Sequence, residues 1–441
     1  MSWDLDFRCW HPPAVCDTII PMKPLVVAIF LIAYLLLIFK KGHPFIILGA
    51  AIAALFAGGA LSFGEAVASI NFNVLGVFCG TMVLSGLFIF SGVPAYLATR
   101  LVDRAKTVGL AMLAVCLLAG FISSFVENVA TVLIVAPIAF EVAKKLKANP
   151  VPLLIGIAIS SNLQGCATMI GDSPSLILAL SSGMNFMDFF WMKGRPGITF
   201  AVELGALASF AILYLIFRKY KQPVEKIAEA KVRTWFPTVL LSMMMATLAA
   251  SSFVENKHPY AIAFICLTYA VIWLVWHEIK HKESVSLVKD LDWHTFFFLV
   301  GIFVLVGSLT CRGIVNDIAA VIIKYTGGNQ FVAFTVIIWL SVLLSAFIDN
   351  IPYTVAMIPV AKLVAQSLGV GQELFLFGLL IGTSLGGNIT PIGASANVVA
   401  VGALKKHGYH VSFGDFVKIG LPFTLAAVGV AYVFLWVVWG R

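Results

Sequence analysis

The sequence predicts an all-α polytopic membrane protein of two inverted repeats, and its composition and an internal repeat are the observations that predict it. Of the 441 residues, 61% are apolar and 11% are charged, whereas soluble domains carry roughly 25% charged residues. The mean hydropathy is +1.00. The apolar runs are continuous rather than alternating, which excludes a β-barrel. The composition also excludes a soluble enzyme, a nucleic-acid-binding protein and a disordered chain.

The apolar runs predict the helices in order. A spanning helix needs about 20 mainly apolar residues. Runs of this kind lie at residues 24–39, 44–61, 72–92, 198–217, 236–253, 260–276, 293–310 and 419–439. Two further runs, 151–183 and 372–403, carry Gly, Pro, Ser, Thr and Asn in their middles and predict broken helices. Residues 107–146 and 328–366 each predict two apolar helices around a polar tip, either as a re-entrant hairpin or as two full spans. With hairpins, the total is about ten spans.

Basic residues between the spans predict the orientation, because short cytoplasmic loops carry an excess of Lys and Arg. The basic clusters lie at residues 40–41, 100–106, 144–147, 218–233, 280–289 and 405–418. Placing all of them in the cytoplasm leaves both termini outside. It also makes 107–146 enter from the cytoplasm and 328–366 enter from the opposite side. The amphipathic stretch from Arg312 to Lys324 predicts an interfacial helix.

The charged stretches also predict the domain organisation. Residues 1–22 form an extracytoplasmic tail, and residues 23–217 form the first inverted repeat. The hydrophilic stretch 218–235 is a cytoplasmic linker, and residues 236–441 form the second inverted repeat.

An internal repeat is visible at one ungapped offset of 222 residues. The paired residues are Glu127/Asp349, Asn128/Asn350, Pro137/Pro359, Gly165/Gly387, Thr168/Thr390, Ile170/Ile392, Gly171/Gly393 and Ser173/Ser395. By the orientation above, the first repeat starts outside and the second starts inside. Inverted repeats are the usual construction of secondary transporters, which bind substrate near the midplane at the repeat interface.

Acidic residues inside the apolar regions predict the ion-coupling site, because an acid at a helix centre costs roughly 2.5–3.5 kcal/mol. The predicted coupling residues are Glu127, Asn128, Asp349, Asn350 and Asp172. Carboxylate and amide oxygens suit a hard cation such as Na⁺, and each acid can carry a proton instead. The alternative is that the acids only cap helices. Asp172 has no acidic counterpart, since Ala394 occupies the equivalent position, and it either couples ions or caps the second half-helix.

Polar residues of the broken helices predict the rest of the binding site. They are Thr168, Gly171, Ser173, Asn388, Thr390, Gly393, Ser395 and Asn397. These residues either contact the substrate or satisfy backbone groups that the helix breaks leave free. No resident metal or cofactor is predicted, because the Cys and His residues show no ligand spacing. Bound Na⁺ at Glu127/Asn128 and Asp349/Asn350 is the one ion that the pattern suggests.

Short motifs surround these residues. ATMIGDSP lies at 167–174, FIDNIPYT at 347–354, GGNITPIGASANVV at 386–399 and HGYHVSFGDF at 407–416. The first resembles the ATxIGDxPN signature of the ion transporter superfamily that contains ArsB arsenite permeases, NhaD-type sodium/proton antiporters and the melanosomal P protein, although Ser175 replaces the usual Asn. The other motifs resemble the P-protein branch. The resemblance implies a homodimer and elevator-type alternating access, and some arsenite permeases also dock a cytoplasmic ATPase.

The same superfamily includes sodium-coupled di- and tricarboxylate symporters, which carry Ser-Asn-Thr at the hairpin tips. Here the tips read Glu127-Asn128-Val129 and Asp349-Asn350-Ile351. Fixed carboxylates repel an anionic substrate unless they are protonated or paired with a cation. This departure disfavours citrate or succinate as the substrate.

The sequence therefore predicts a secondary active ion transporter, proton- or sodium-coupled, and not an enzyme. It would move a small inorganic ion by Na⁺/H⁺ antiport or arsenite-type efflux. A sodium-coupled citrate-like symporter and an anion channel are the alternatives. We expect a homodimer in the lipid bilayer of a prokaryotic inner membrane, with no nucleic-acid partner and with a cytoplasmic ATPase as a candidate partner.

Overall fold

The computed structural model describes residues 22–39, 44–145, 148–224, 230–282, 288–289 and 291–440. The regular structure of these residues is helical, apart from an antiparallel hairpin of β1 (Trp191–Met192) and β2 (Arg195–Pro196). The predicted all-α class is confirmed. The predicted extracytoplasmic tail, residues 1–22, lies outside the described residues except for Met22.

The first repeat carries the N-terminal set of helices. They are α1 (Lys23–Phe39), α2 (Pro44–Ala57), α3 (Phe63–Ser69), α4 (Phe72–Phe90), α5 (Val93–Arg104), α6 (Val108–Ser123), α7 (Asn128–Lys145), α8 (Pro150–Gly165), α9 (Ser173–Ser181) and α10 (Ile198–Phe217). A 3₁₀ helix, Phe186–Phe189, follows α9. The predicted spans of this half coincide with α1, α2, α4 and α10.

The second repeat follows the same plan. Its helices are α11 (Phe236–Ser251), α12 (Ala261–His281), α13 (Trp293–Cys311), α14 (Ile314–Thr326), α15 (Gln330–Ser345), α16 (Asn350–Leu368), α17 (Glu373–Gly386), α18 (Ser395–Lys406) and α19 (Phe413–Trp439). Six described helices of the whole chain are long and apolar enough to cross a membrane, namely α4, α10, α12, α13, α16 and α19. The others that were predicted as spans are shorter apolar helices. The chain is an integral membrane protein.

Two helical hairpins occupy equivalent places in the repeats. Residues 124–127 join α6 to α7, and residues 346–349 join α15 to α16. The first arms, α6 and α15, each have 16 residues and are therefore about 24 Å long. A hydrocarbon core is about 30 Å thick. The first arms are therefore shorter than this core, which fits hairpins that enter the membrane and return, whereas the return arm α16, with 19 residues, is long enough to cross it.

Both predicted broken helices are present. The first stops at Gly165 and resumes at Ser173 as α9. The second passes from α17 into a 3₁₀ turn, Gly387–Ile389, and resumes at Ser395 as α18. Pro174 near the start of α9 has no backbone N–H to donate, which suits a helix N-terminus. The breaks leave backbone groups that other elements must satisfy.

The hairpin of each repeat packs against a half-helix of the other, α16 against α9 and α7 against α18. Lys362 Nζ on α16 donates to the carbonyl of Ser181 at the end of α9. At the equivalent place in the first repeat, Phe140 on α7 stacks on His407 beyond α18, with ring centroids 3.8 Å apart. The cationic Lys362 also complements the C-terminal dipole of α9. The repeats are therefore interlocked rather than side by side.

Two amphipathic helices, α5 and α14, link the spans to the hairpins at equivalent places. α14 confirms the amphipathic stretch that the sequence predicts from Arg312 to Lys324. α5 was not predicted, because Arg100, Asp103 and Arg104 on its exposed face interrupt the apolar run in the sequence and make it too polar for a span. Its existence could have been inferred from its position in the repeat, opposite α14.

The packing of α4 on α12 generates a prediction. A Cβ atom at Gly80 would lie 2.6 Å from the carbonyl carbon of Cys266, so the two helices would have to move apart. In α2, a Cβ atom at Gly49 would meet no atom within 4 Å. We expect Gly80→Ala to lower the unfolding temperature of the purified protein in detergent. Gly49→Ala should raise stability by about 0.5–1 kcal/mol, because Ala favours a helix. Equal unfolding temperatures for the two variants would contradict the packing.

Candidate functional site

The two hairpin tips rest on the two helix breaks through equivalent hydrogen bonds. Thr168 Oγ1 donates to the carbonyl of Ser124, and Thr390 Oγ1 donates to the carbonyl of Ala346. Both threonines are buried. These hydroxyls satisfy carbonyls at the ends of α6 and α15, where the helical partners are missing. Each threonine therefore holds a hairpin tip against a break.

The two predicted glycines allow this close approach. A Cβ atom at Gly171 would lie 2.7 Å from the carbonyl oxygen of Ser123, and one at Gly393 would lie 2.8 Å from that of Ala346. Real Cβ atoms do not approach a carbonyl so closely, so any larger residue would push the tip away. Gly171 and Gly393 thus act by making room, and the hairpin tips sit directly on the breaks.

Glu127 caps the N-terminus of α7. Its Oε2 accepts hydrogen bonds from the backbone N–H groups of Val129 at 2.8 Å and Ala130 at 3.3 Å. Because both bonds use one oxygen, Oε1 is not part of the cap. The side chain is partly buried and lines a small pocket between the repeats. The Glu127 carboxylate therefore caps α7 and also lines the pocket.

Asp349 has the equivalent place at the second tip. Its Oδ1 accepts from the backbone N–H of Ile351 at 3.1 Å, and its Oδ2 accepts from Ser395 Oγ at 2.8 Å. The second bond joins the hairpin tip to the first residue of α18. Ser173, the counterpart of Ser395, makes no such bond to Glu127: its buried Oγ has no hydrogen-bond partner within the described chain.

Asp172 is buried and joins the two repeats. Its Oδ1 accepts from the backbone N–H of Ser175 at 2.8 Å, which caps α9. Its Oδ2 accepts from Ser384 Oγ on α17 at 3.0 Å. The capping role that the sequence offers as an alternative is present in the structure, together with a bond across the repeat interface.

A chain of buried amides also crosses this interface. Asn128 Nδ2 donates to Asn162 Oδ1 at 3.1 Å, while its Oδ1 accepts from Ser123 Oγ at 2.8 Å. Asn162 Nδ2 in turn donates to Asn388 Oδ1 at 2.8 Å and to Asn397 Oδ1 at 3.0 Å. The first hairpin tip is thus connected to both sides of the second helix break. We call this set of four Asn residues the amide bridge.

A small pocket of about 20 Å³ lies where the tips and breaks meet. We call it the central pocket. Its polar lining consists of Glu127, Asn128, Asn162, Asp172, Ser173, Thr295, Asn350 and Ser395. This volume suits about one water molecule or one small ion. The unpartnered Ser173 Oγ adds one more oxygen that is available to an occupant.

A larger cavity of about 360 Å³ adjoins the central pocket. We call it the vestibule. Its polar lining includes Tyr34, Asp292, His294, Thr295, Asp349 and Ser395, and its apolar lining comes mainly from α1, α13, α16 and α18. Val129, Thr295, Ile351 and Ser395 line both cavities. The central pocket and the vestibule therefore adjoin each other at these four residues.

The predicted site residues have three roles in the structure: they line the two cavities, form part of the amide bridge, or join the hairpin tips to the helix breaks. Glu127, Asn128, Asp172, Ser173, Asn350 and Ser395 line the central pocket, and Asp349 lines the vestibule. Asn388 and Asn397 belong to the amide bridge. Thr168, Gly171, Thr390 and Gly393 join the tips to the breaks. Among the described residues, no group of three or more His, Cys, Asp or Glu is arranged to hold a metal ion, so a cation would need amide and hydroxyl oxygens as well.

Sequence reasoning missed Asn162, Ser384 and Thr295. Asn162 and Ser384 lie at equivalent positions of the two repeats, in the last turns of the apolar helices α8 and α17, and that shared polarity is the signal that could have found them. Thr295 follows the predicted start of a span, and nothing in its neighbourhood in the sequence relates it to the hairpin tips.

Inverted repeats with paired hairpins and broken helices around a polar pocket define a membrane transporter, not an enzyme. A family model described as citrate transporter (CitMHS) matches residues 34–382. The chain belongs to this citrate transporter family.

Similar proteins agree with this assignment. An uncharacterized transporter of Mycobacterium tuberculosis is 31% identical over 377 residues, which cover 83% of this chain and 86% of that protein. The 46 kDa membrane protein of Mycobacterium leprae is 30% identical over 383 residues, covering 83% and 86%. The P protein of Mus musculus is 28% identical over 497 residues, covering 93% of this chain and 60% of that protein. The predicted superfamily is confirmed.

A solved structure has the same fold. The crystal structure of the Alcanivorax borkumensis YdaH transporter superposes with a TM-score of 0.57 at 13% sequence identity. The match covers 94% of this chain and 98% of that chain. The helical repeats described above are thus a known transporter architecture.

The amide bridge generates a prediction. Asn162→Ala leaves the buried amides of Asn128, Asn388 and Asn397 without their shared partner, and each unsatisfied group costs about 1–3 kcal/mol. We expect a clear fall in the unfolding temperature in detergent. The matched control is Ser160→Ala on the same helix, because Ser160 is equally buried and its Oγ has no hydrogen-bond partner within the described chain. An Asn162→Ala protein as stable as the control would refute the bridge.

Proposed function

We propose that the protein is a secondary active ion transporter, proton- or sodium-coupled, which moves a small inorganic ion by Na⁺/H⁺ antiport or arsenite-type efflux. The observation that carries the proposal is the central pocket, where two carboxylates and three Asn residues converge. Such oxygens suit a hard cation. None of the described residues that line this pocket is Lys, Arg or His, so a cation meets no fixed positive side chain there.

Coupling follows from competition for one carboxylate. Glu127 has an oxygen that its capping bonds do not use, and this oxygen can hold either a proton or a cation. An unpaired carboxylate at membrane depth is costly. An empty site is therefore protonated more readily, and a bound cation releases the proton. Asp349 is the equivalent carboxylate at the second tip, where its Oδ1 caps α16 and its Oδ2 accepts from Ser395 Oγ, and it lines the vestibule.

Alternating access is proposed as an elevator movement. The two hairpins, α8, α9, α17 and α18 are tied together by the tip contacts and the amide bridge, and they suit a single moving transport domain. α1, α2 and α13 face this unit across the vestibule. By the basic-loop rule the vestibule opens to the cytoplasm in this conformation. A homodimer, a prokaryotic inner membrane with both termini outside, and an ATPase docked on the basic loops complete the proposal.

A carboxylate symporter is the second candidate. The family description names citrate, and the vestibule of about 360 Å³ falls within the roughly 300–1,000 Å³ of small-molecule sites. Against it stand Asp349 and Asp292, which also line the vestibule. An anion would have to enter with a cation or a proton to offset their repulsion.

Substitution of the two tip acids tests the proposal. We expect Asp349→Asn and Glu127→Gln to abolish coupled flux, with at least about a tenfold loss, because neither amide can exchange a proton for a cation. Asn caps a helix as well as Asp does, so the Asp349→Asn protein should fold and insert. The control is Glu255→Gln, which removes an exposed acid from the loop between α11 and α12.

The measurement is proton flux in proteoliposomes with an acidic lumen and a pH dye, with Na⁺, Li⁺, K⁺, arsenite and citrate added in turn. Alkalinisation of the lumen by a cation, lost in both tip variants and kept in the control, is the expected result. A response to arsenite alone would indicate metalloid efflux, and a response to citrate alone would establish the symporter. Full coupled flux in both variants would remove the acids from coupling.

A further inference from the structure

We propose that Asp292 is a positioning residue that concentrates cations in the vestibule on the cytoplasmic side and passes them toward Glu127. The proposal rests on the proposed ion transport and adds the route by which the ion enters. Asp292 lies outside the hairpins and the broken helices, immediately before α13. Its position in the sequence, at the end of a charged loop, gives no sign of this role.

The contacts of Asp292 lead inward. The exposed carboxylate lines the vestibule. Its Oδ1 accepts from the backbone N–H of Thr295 at 3.0 Å, and its Oδ2 accepts from Thr295 Oγ1 at 2.6 Å. Thr295 also lines the central pocket, and so does Glu127. Asp292 is thus bonded to a residue that borders both the vestibule and the central pocket, which Glu127 also lines.

The wall of the vestibule opposite Asp292 also carries an acidic side chain. Asp349 lines it from the second hairpin tip, and the half-buried Tyr34 of α1 lines the same cavity. His294 is the one basic side chain among the described lining residues, and its ring packs on Phe45 with centroids 4.5 Å apart. A narrow cleft lined by carboxylates focuses the field and raises the local concentration of cations.

The inverted repeat supplies a natural comparison. Helix α4 is the repeat counterpart of α13, and Asn71 caps α4 just as Asp292 caps α13. The side chain of Asn71 accepts a hydrogen bond from the backbone N–H of Val74 at 3.1 Å. Asn and Asp are equally good N-caps. Capping therefore does not require the charge on Asp292. By the basic-loop rule Asn71 lies on the outer side. Of these two equivalent caps, only the cytoplasmic one therefore carries a negative charge.

The test measures the electrostatic potential of the vestibule with a thiol. Val398 is an exposed residue of α18 that lines the vestibule, and Val398→Cys introduces a thiol there. Everted membrane vesicles, whose outer face is the cytoplasmic face, receive a trimethylammonium-ethyl or a sulfonatoethyl methanethiosulfonate reagent. The ratio of the two modification rates reports the sign of the local potential. The parent chain, with its native cysteines, supplies the background rate.

We expect the cationic reagent to react several times faster, and the rate ratio to fall at least about threefold when Asp292→Asn is added, because one steering charge is lost. The ratio should return with Asp292→Glu, remain unchanged with Glu255→Gln, and shrink at high salt, where the Debye length falls to about 3 Å. In the proteoliposome assay, Asp292→Asn should raise the half-saturating cation concentration on the cytoplasmic side several-fold and leave maximal flux intact.

Three results would overturn the proposal: equal rates for the two reagents, a ratio that Asp292→Asn does not change, or an introduced thiol that reacts from the outer side alone or not at all. The thiol readout needs no transported ion. A vestibule that prefers cations in a protein without antiport activity would therefore count against the proposed function and not against the role of Asp292.

Discussion

The structure depends on one constraint: a helix that breaks inside a membrane must have its free backbone groups satisfied by protein. Two breaks and two hairpin tips create such groups where the two repeats meet. The hydroxyls of Thr168 and Thr390 satisfy carbonyls at the tips, and the side chains of Glu127, Asp172 and Asp349 cap the helices that follow. The polar residues that solve this problem are also the oxygens available to an ion. In the proposed function, the same side chains provide both the architecture and the binding chemistry.

The two repeats share a backbone plan but not the same polar contacts. Asp172 accepts from Ser384 of the second repeat, whereas Ala394 at the equivalent position makes no side-chain cap. Asn162, the counterpart of Ser384, instead joins the amide bridge. Ser395 bonds Asp349, while the Oγ of Ser173 has no partner within the described chain. The central pocket is consequently asymmetric, and its unused oxygens lie on the side of the first repeat.

The spans, hairpins and breaks were predictable because the length of an apolar run and its interruptions can be read from neighbouring residues. The 222-residue offset then showed which elements of the two halves are equivalent. The tip acids followed from the cost of burying charge. The amide bridge was not predictable, because Asn162 reaches partners more than 200 positions away. Asp292 was missed for a similar reason. It looks like an ordinary loop acid until the fold brings α13 beside the hairpin tips.

The different N-caps, Asn71 of α4 and Asp292 of α13, have a consequence for the direction of ion transport. No side chain can alter the gradient at which a passive exchange cycle stops, since that limit is set by the driving ions alone. A charge on one face does change how quickly the site is filled from that face when the ion is scarce. In the proposed orientation, with Asp292 facing the cytoplasm and Asn71 facing the outside, the cycle would load efficiently from a dilute cytoplasm, and the outer face would have no equivalent charge at this cap to attract the ion back. At low ion concentration the protein would then export the ion faster than it imports it.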